Sequence, residues 1–124
     1  MKLRILCIDD SKSVHAFLKD CVLDVALDFK SVFDGKQGLE FLLKNNSQVD
    51  LVFLDWEMPV MTGPEVLTEL KKMSIPVPII MLTSKNETSD IAQVFSKGAS
   101  EYIMKPFTKD IILQKIKMVF PSES

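Results

Sequence analysis

Short apolar runs alternate with amphipathic segments from one end of the chain to the other. Five runs predict strands, and they lie at residues 3–8, 29–33, 49–54, 79–82 and 101–104. A segment with apolar residues at helical spacing follows each run. In the first of these segments, one stripe of the predicted helix carries the following apolar residues: Val14, Phe17, Leu18, Cys21, Val22 and Val25.

This alternation predicts a single α/β domain. Short connections between alternating strands and helices favour right-handed βαβ units around a parallel sheet. With five strands we expect a doubly wound sheet in the flavodoxin-like order 2-1-3-4-5, covered on both faces by helices as a three-layer αβα sandwich. We expect the domain to cover residues 1–120 and residues 121–124 to form a disordered tail.

Composition and charge narrow the class of protein. The 124 residues include 15 basic and 17 acidic side chains, mixed along the chain, and this balance provides no basic stripe for direct nucleic-acid binding. No apolar run approaches the ~20 residues that cross a bilayer, so we expect no membrane insertion. The N-terminus lacks a signal-peptide cleavage pattern, and Cys7 and Cys21 fit apolar patterns as buried thiols, which favours the reducing cytoplasm.

Charged and hydroxyl side chains follow the predicted strands. Asp9 and Asp10 follow the first strand, Asp55 ends the third, Thr83 follows the fourth and Lys105 follows the fifth. Ligands of an open parallel sheet bind beyond the carboxyl ends of its strands, where neighbouring connections diverge. We therefore expect the three carboxylates to share one crevice with Lys105.

Three carboxylates in one crevice repel each other, and one lysine does not balance their charge. A divalent cation that prefers oxygen ligands resolves this, and Mg²⁺ is also the usual companion of phosphoryl groups. Aspartate is a known nucleophile in aspartyl-phosphate chemistry, so Asp55 is the candidate acceptor of a phosphoryl group. Carboxylates that only cap the following helices are the simpler alternative, which explains neither Lys105 nor the convergence.

Four motifs in this order resemble the receiver domains of two-component response regulators, across essentially the whole chain. They are Ile8-Asp9-Asp10-Ser11, the segment from Leu54 to Pro59 with Gly63, Met81-Leu82-Thr83-Ser84, and the segment from Tyr102 to Phe107. The residues around Asp55 and Lys105 are most similar to those of stand-alone chemotaxis-type receivers.

The resemblance implies roles for individual residues. Asp55 takes a phosphoryl group from a phosphohistidine on a histidine kinase or a histidine phosphotransfer protein. Asp10 and Asp55 bind Mg²⁺ directly with the backbone carbonyl of Glu57, and Asp9 acts through metal-bound water. Lys105 pairs with the phosphoryl oxygens, and the Lys105–Pro106 peptide bond is expected to be cis.

It also implies a signalling switch in place of a turnover enzyme, with self-catalysed phosphorylation and dephosphorylation. Thr83 turns towards the attached phosphoryl group, and Tyr102 moves inward into the space that Thr83 leaves. Because no output domain is visible in this sequence, we expect the output to be binding of a downstream target protein.

Side chains outside the acidic cluster give further predictions. Glu57 and Lys85 border the site in this family, and here they can form a charge pair across its mouth that tunes dephosphorylation. On the last helix, Ile111 and Met118 lie off the buried stripe, which predicts a partner-binding face with Tyr102, formed by the fourth helix, fifth strand and fifth helix. His15 is predicted to be solvated, away from the apolar stripe of its helix.

Other functions stay open at this point. A Mg²⁺-dependent phosphatase of the haloacid-dehalogenase type also uses an aspartate nucleophile and a lysine, but it requires a second aspartate where this chain has Glu57. A flavodoxin-like FMN binder needs a phosphate loop that Asp9 and Asp10 would repel. A pseudo-receiver that is never phosphorylated and acts only as a binding module is the third alternative.

Overall fold

The computed structural model describes residues 2–121. The elements run in the order β1 (Leu3–Ile8), α1 (Lys12–Cys21), β2 (Ala26–Val32), α2 (Gly35–Asn45), a 3₁₀ turn (Asn46–Gln48), β3 (Leu51–Asp55), α3 (Gly63–Lys72), β4 (Ile79–Thr83), α4 (Thr88–Ser96), β5 (Glu101–Met104) and α5 (Lys109–Val119). All strand pairs are parallel, and their order is β2-β1-β3-β4-β5, as predicted.

Two apolar cores lie on opposite faces of the sheet, because successive side chains of a buried strand point to opposite sides. Leu6 and Ile8 of β1 belong to the core that also contains Leu39 of α2 and Leu67 of α3. The neighbouring β1 residues, of which Cys7 is one, belong to the other core, with helices α1 and α5. The predicted three-layer sandwich is therefore confirmed, with two helices on one face and three on the other.

The edge strand β2 differs from its prediction. It covers Ala26–Val32, whereas the sequence predicted residues 29–33. The first residues of β2 lack the apolar pattern of a buried strand, because this edge of the sheet is half exposed. Nevertheless, Ala26 already pairs with Leu3 of β1. Asp34, between β2 and α2, caps α2, and its Oδ1 accepts a hydrogen bond from the Gln37 amide at 2.8 Å.

Two predictions for α1 are wrong. His15 is not solvated but 6% exposed, and Phe17, placed on the buried stripe, is 47% exposed. The residues that α1 buries are His15, Leu18 and Cys21, so its buried face is rotated towards His15. Phe17 instead lies against Phe107 beyond β5, with ring centroids 5.7 Å apart.

Within residues 2–121, no helix combines the length and apolar character that a membrane crossing requires. The predicted domain boundary at residue 120 and the predicted tail from residue 121 remain predictions, and residues 122–124 lie outside the described part of the chain.

Candidate functional site

An acidic cluster lies at the carboxyl ends of β1 and β3. These strands are neighbours, and the pairing of Ile8 with Leu54 brings Asp9, the residue after β1, beside Asp55, the last residue of β3. Carboxylate oxygens of Asp9, Asp10 and Asp55 all lie within 4.8 Å of one another. Asp9 and Asp55 are buried and Asp10 is exposed, so the cluster opens to solvent on the side of Asp10.

Lys105 bridges the two buried carboxylates. Its Nζ lies 2.9 Å from Asp55 Oδ1 and 3.2 Å from Asp9 Oδ2. Its backbone amide donates to the carbonyl oxygen of Thr83 at 2.8 Å, and the Lys105–Pro106 peptide bond is cis. The end of β5 is thereby held against the end of β4, with the ammonium group turned into the cluster.

Burial and like charge change how Asp55 ionises. The pKa of Asp55 is raised to about 6, chiefly by loss of solvent and also by the charges of Asp9 and Asp10, while the hydrogen bond and charge of Lys105 act against this increase. Burial also acts to lower the pKa of Lys105, but the hydrogen bond and charge of Asp55, aided by Asp9, outweigh it and raise that pKa. One lysine therefore does not fully compensate the carboxylates.

The donor set fits a Mg²⁺ ion. The cluster offers only carboxylate oxygens, which are hard ligands, and a surplus of negative charge around Asp55 that a dication would balance. The exposed position of Asp10 also leaves solvent access for the water ligands that Mg²⁺ usually keeps.

Asp9 is held more tightly than the sequence suggested. Its Oδ1 accepts a hydrogen bond from the Ser11 amide at 2.8 Å, while Oδ2 faces Lys105. Its backbone carbonyl oxygen lies 2.7 Å from Nε2 of His15. His15 was not predicted to lie at the site, although it precedes Leu18 by three residues and Val22 by seven, which is the spacing of a buried stripe.

Thr83 ends β4, and Glu57 and Lys85 lie two residues beyond the ends of β3 and β4. Thr83 is buried at the end of β4, and its Oγ1 accepts a hydrogen bond from the Lys85 amide at 2.8 Å. The Lys85 ammonium lies 3.4 Å from a Glu57 carboxylate oxygen, and both side chains are largely solvent-exposed. The structure therefore contains the charge pair that the sequence predicted.

Tyr102, Ile111 and Met118 lie on a separate surface formed by β5 and α5. The half-buried Tyr102 ring makes an edge-on contact with Phe95 of α4, at 5.9 Å between centroids, and Lys115 Nζ lies 4.8 Å from its centroid. Ile111 and Met118 are exposed one turn before and after Lys115, so they share its side of α5.

Comparison with known proteins supports one family. The family model described as "Response regulator receiver domain" matches residues 5–117. The transcriptional regulatory protein DltR of Streptococcus agalactiae is 34% identical over 116 residues, which are 94% of this chain and 51% of that protein. The chain therefore spans about half the length of this relative.

A chemotaxis protein CheY homolog of Campylobacter jejuni is 29% identical and is matched over nearly its full length, 98% of this chain and 95% of that protein. The solved structure of the Francisella response regulator 1452 receiver domain superposes with a TM-score of 0.87 at 28% identity, covering 98% of this chain and 99% of that one. The fold, the order of the strands and the matched residues lead to the same conclusion: this chain belongs to the receiver domain family of response regulators, which are signalling switches.

Proposed function

We propose that Asp55 accepts a phosphoryl group from the phosphohistidine of a histidine kinase or histidine phosphotransfer protein. The observation that carries this proposal is the position of Asp55, 5% exposed at the end of β3 and contacted by Lys105 at 2.9 Å within an acidic cluster. A rigid strand end fixes the nucleophile, and catalysis of phosphoryl transfer depends largely on such positioning.

In this reaction Asp55 Oδ2 attacks phosphorus, because Oδ1 is the oxygen that Lys105 contacts. The bond from oxygen to phosphorus forms as the bond from phosphorus to the donor imidazole nitrogen breaks, and the imidazole leaves with that electron pair. Lys105, already between Asp55 and Asp9, then pairs with the phosphoryl oxygens.

Asp10 and Asp55 would hold Mg²⁺ directly, with the backbone carbonyl of Glu57, while Asp9 would act through a water ligand. When bound, the ion supplies positive charge that offsets repulsion between the carboxylates and the incoming phosphoryl group. The chain's own residues thus promote both its phosphorylation and its later hydrolysis, as expected of a switch with self-catalysed steps.

Phosphorylation changes the surface formed by α4, β5 and α5 in this proposal. Thr83 turns its hydroxyl towards the phosphoryl group, Tyr102 moves inward, and a downstream target protein reads the change through Tyr102, Ile111 and Met118. We place the protein in the cytoplasm, where Cys7 and Cys21, both buried and free, would stay reduced. Loss of target binding in Ile111→Ser is the expected outcome for this surface, and unchanged binding would exclude it.

Trp56 provides the test because it is the single tryptophan and directly follows Asp55. Its fluorescence is measured while Mg²⁺ and then beryllofluoride, a phosphoryl mimic, are added to wild type and to Asp55→Asn. We expect two successive changes in the wild type and no second change in the variant. After incubation with a small phosphodonor, mass spectrometry should find a phosphoryl adduct on Asp55. A wild-type protein without that adduct at donor saturation would contradict the proposal.

A further inference from the structure

We propose that His15 is a positioning residue of the acidic site, acting through a hydrogen bond from Nε2 to the backbone carbonyl of Asp9. The inference rests on the proposed function to the extent that its main consequence is the affinity for Mg²⁺. The contact is short, 2.7 Å, and both residues are buried. Because a carbonyl oxygen only accepts hydrogen bonds, Nε2 must carry the proton.

The Asp9 carbonyl lies where regular structure ends. The Asp9 amide still donates to the Val32 carbonyl of β2 at 3.2 Å, but α1 begins only at Lys12, with Ser11 as its capping residue. The carbonyl therefore lies between the last pairing of β1 and the first turn of α1, where a buried acceptor needs another partner. His15, one turn into α1, supplies that partner.

Four contacts together fix Asp9. Its amide bonds to Val32, its carboxylate accepts from Ser11 and Lys105, and its carbonyl accepts from His15. Of these partners, His15 alone lies within the body of a helix, so it is the one that couples the position of α1 to the peptide plane of Asp9. Residues that orient ligands in this way commonly change metal affinity when they are removed.

A purely packing role for His15 fits the structure less well. Its ring does contact Phe33, with centroids 4.5 Å apart, as an apolar ring would. However, its Nδ1 is buried and has no hydrogen-bond partner among residues 2–121, which an apolar side chain would avoid. An apolar side chain at this position could not donate the hydrogen bond that His15 makes to the Asp9 carbonyl oxygen.

Three variants separate hydrogen bonding from packing. His15→Phe keeps a buried ring without a donor, His15→Gln keeps a side-chain N–H, and Phe33→Leu removes the ring contact while His15 stays. The probe is Mg²⁺ alone, titrated with Trp56 fluorescence as the signal. We expect about threefold weaker Mg²⁺ binding in His15→Phe, less than the roughly tenfold or more for partners of direct metal ligands, because Asp9 itself acts through a water ligand. We expect His15→Gln and Phe33→Leu to stay close to wild type.

Equal weakening in His15→Phe and His15→Gln, or wild-type affinity in His15→Phe, would overturn this inference without touching the proposed function. Absence of any Mg²⁺ response in the wild type would instead count against the proposed function. Should His15→Phe not fold, His15→Met is the second apolar variant.

A measurement without metal completes the test. Long-range ¹H–¹⁵N NMR of the wild-type histidine should show the tautomer protonated at Nε2, and a tautomer protonated only at Nδ1 would overturn the assignment. His15 is the single histidine, so its signals need no further assignment.

Discussion

Asp55 lies in an unfavourable electrostatic environment. It must be ionised to act as a nucleophile, yet burial, together with repulsion from Asp9 and Asp10, raises its pKa to about 6. Lys105 offsets only part of this effect. The fold therefore holds a carboxylate ready for reaction at the expense of stability, which is common for functional sites.

The raised pKa of Asp55 predicts how stability depends on pH when EDTA removes divalent ions. Between its ordinary value of 3.8 and about 6, the folded state binds a proton more readily than the unfolded state, so the free energy of unfolding falls as pH rises through that window. Asp55→Asn should remove this fall and be more stable than wild type at pH 7 by at most about 3 kcal/mol. Urea unfolding at pH 4 and pH 7 measures the difference.

Asp50 offers a control of opposite sign. Its hydrogen bonds from Arg4 lower the pKa of its carboxyl, so its contribution to stability is present above about pH 4 and is lost as pH falls. Asp50→Asn should therefore destabilise the protein at pH 7 and much less in acid. A difference between wild type and Asp55→Asn that does not grow with pH would contradict the account of Asp55.

The pair of Glu57 and Lys85 predicts an effect on signal lifetime. Their side chains lie 3.4 Å apart, two residues beyond Asp55 and Thr83, and we expect this pair to restrict the water that attacks the acyl phosphate. As an exposed pair it contributes little to stability. Lys85→Ala should lose phosphate about two- to fivefold faster, which corresponds to roughly 1 kcal/mol or less in the barrier. Lys85→Arg keeps the charge, and an unchanged rate in Lys85→Ala would exclude the role.

Sequence reasoning reached the polar residues of the site because strand ends of a parallel sheet converge. It failed at His15 and Phe17, since helical spacing alone leaves the rotation of α1 undecided when apolar residues occupy more than one side. Only the packing against β1 and the partner that Asp9 requires decide which side is buried. The contact between His15 and Asp9 joins residues six apart across an element boundary, a relation that no periodicity reports.

The connection from β3 to α3 determines how closely the helix approaches the site. The Gly63 amide donates to the Trp56 carbonyl at 2.9 Å, which closes the loop on itself. A Cβ at Gly63 would collide with the Asp55 carbonyl oxygen. Within the loop, Val60 has a φ of 72°, an uncommon conformation for a branched residue. The path of the chain here is tightly constrained.

Gly63→Ala tests that constraint. The added methyl group meets backbone and cannot be accommodated by a side-chain rotation, so we expect a loss of about 1–3 kcal/mol in the free energy of unfolding. Because the clash is with Asp55 itself, the fluorescence response of Trp56 to Mg²⁺ should also weaken. Pro64→Ala, at the next position, should cost less than about 1 kcal/mol and leave that response intact. Equal stability of Gly63→Ala and wild type would contradict the close packing.

The ends of elements were predicted less accurately than their existence. The sequence placed the start of the third strand at residue 49, but β3 begins at Leu51 because a 3₁₀ turn precedes it, in which the Val49 amide bonds to the Asn46 carbonyl. β1 and β5 had the predicted bounds, β4 extends one residue further to Thr83, and the half-exposed edge strand β2 differs most, by three residues at its start. An edge strand exposes one side, so its first residues lack the apolar run by which a central strand is predicted.

The site and the surface around Tyr102 are connected across the sheet through β4 and β5. Tyr102 pairs with Met81, two residues before Thr83, and the Lys105 amide bonds to the Thr83 carbonyl. A displacement at the end of β4 therefore has a direct path to β5 and to the α5 residues beside it. The α1–β2 region, with exposed Leu23 and Leu27, lies at the other edge of the sheet.

This arrangement predicts a one-sided response to phosphorylation. In methyl-labelled protein, beryllofluoride with Mg²⁺ should shift the NMR signals of Ile111 and Met118, which lie on the same side of α5 as Lys115 above the Tyr102 ring. The methyl groups of Leu23 and Leu27 are the internal control and should stay in place. Comparable shifts on both sides of the molecule, or none on α5, would contradict a switch directed to this surface.

The hydrogen bond that Thr83 accepts affects the equilibrium between the resting and active conformations of the proposed switch. The Thr83 hydroxyl already has a partner, the Lys85 amide at 2.8 Å. Under the proposed switch, turning towards a modified Asp55 exchanges one bond for another, and such exchanges differ by only about 1 kcal/mol, close to thermal energy. The resting and active conformations would then both be populated, and a target protein that binds one of them modestly better could shift the equilibrium towards it. Small changes in the short turn after β4 would be enough to change the fraction of the protein that is in the active conformation.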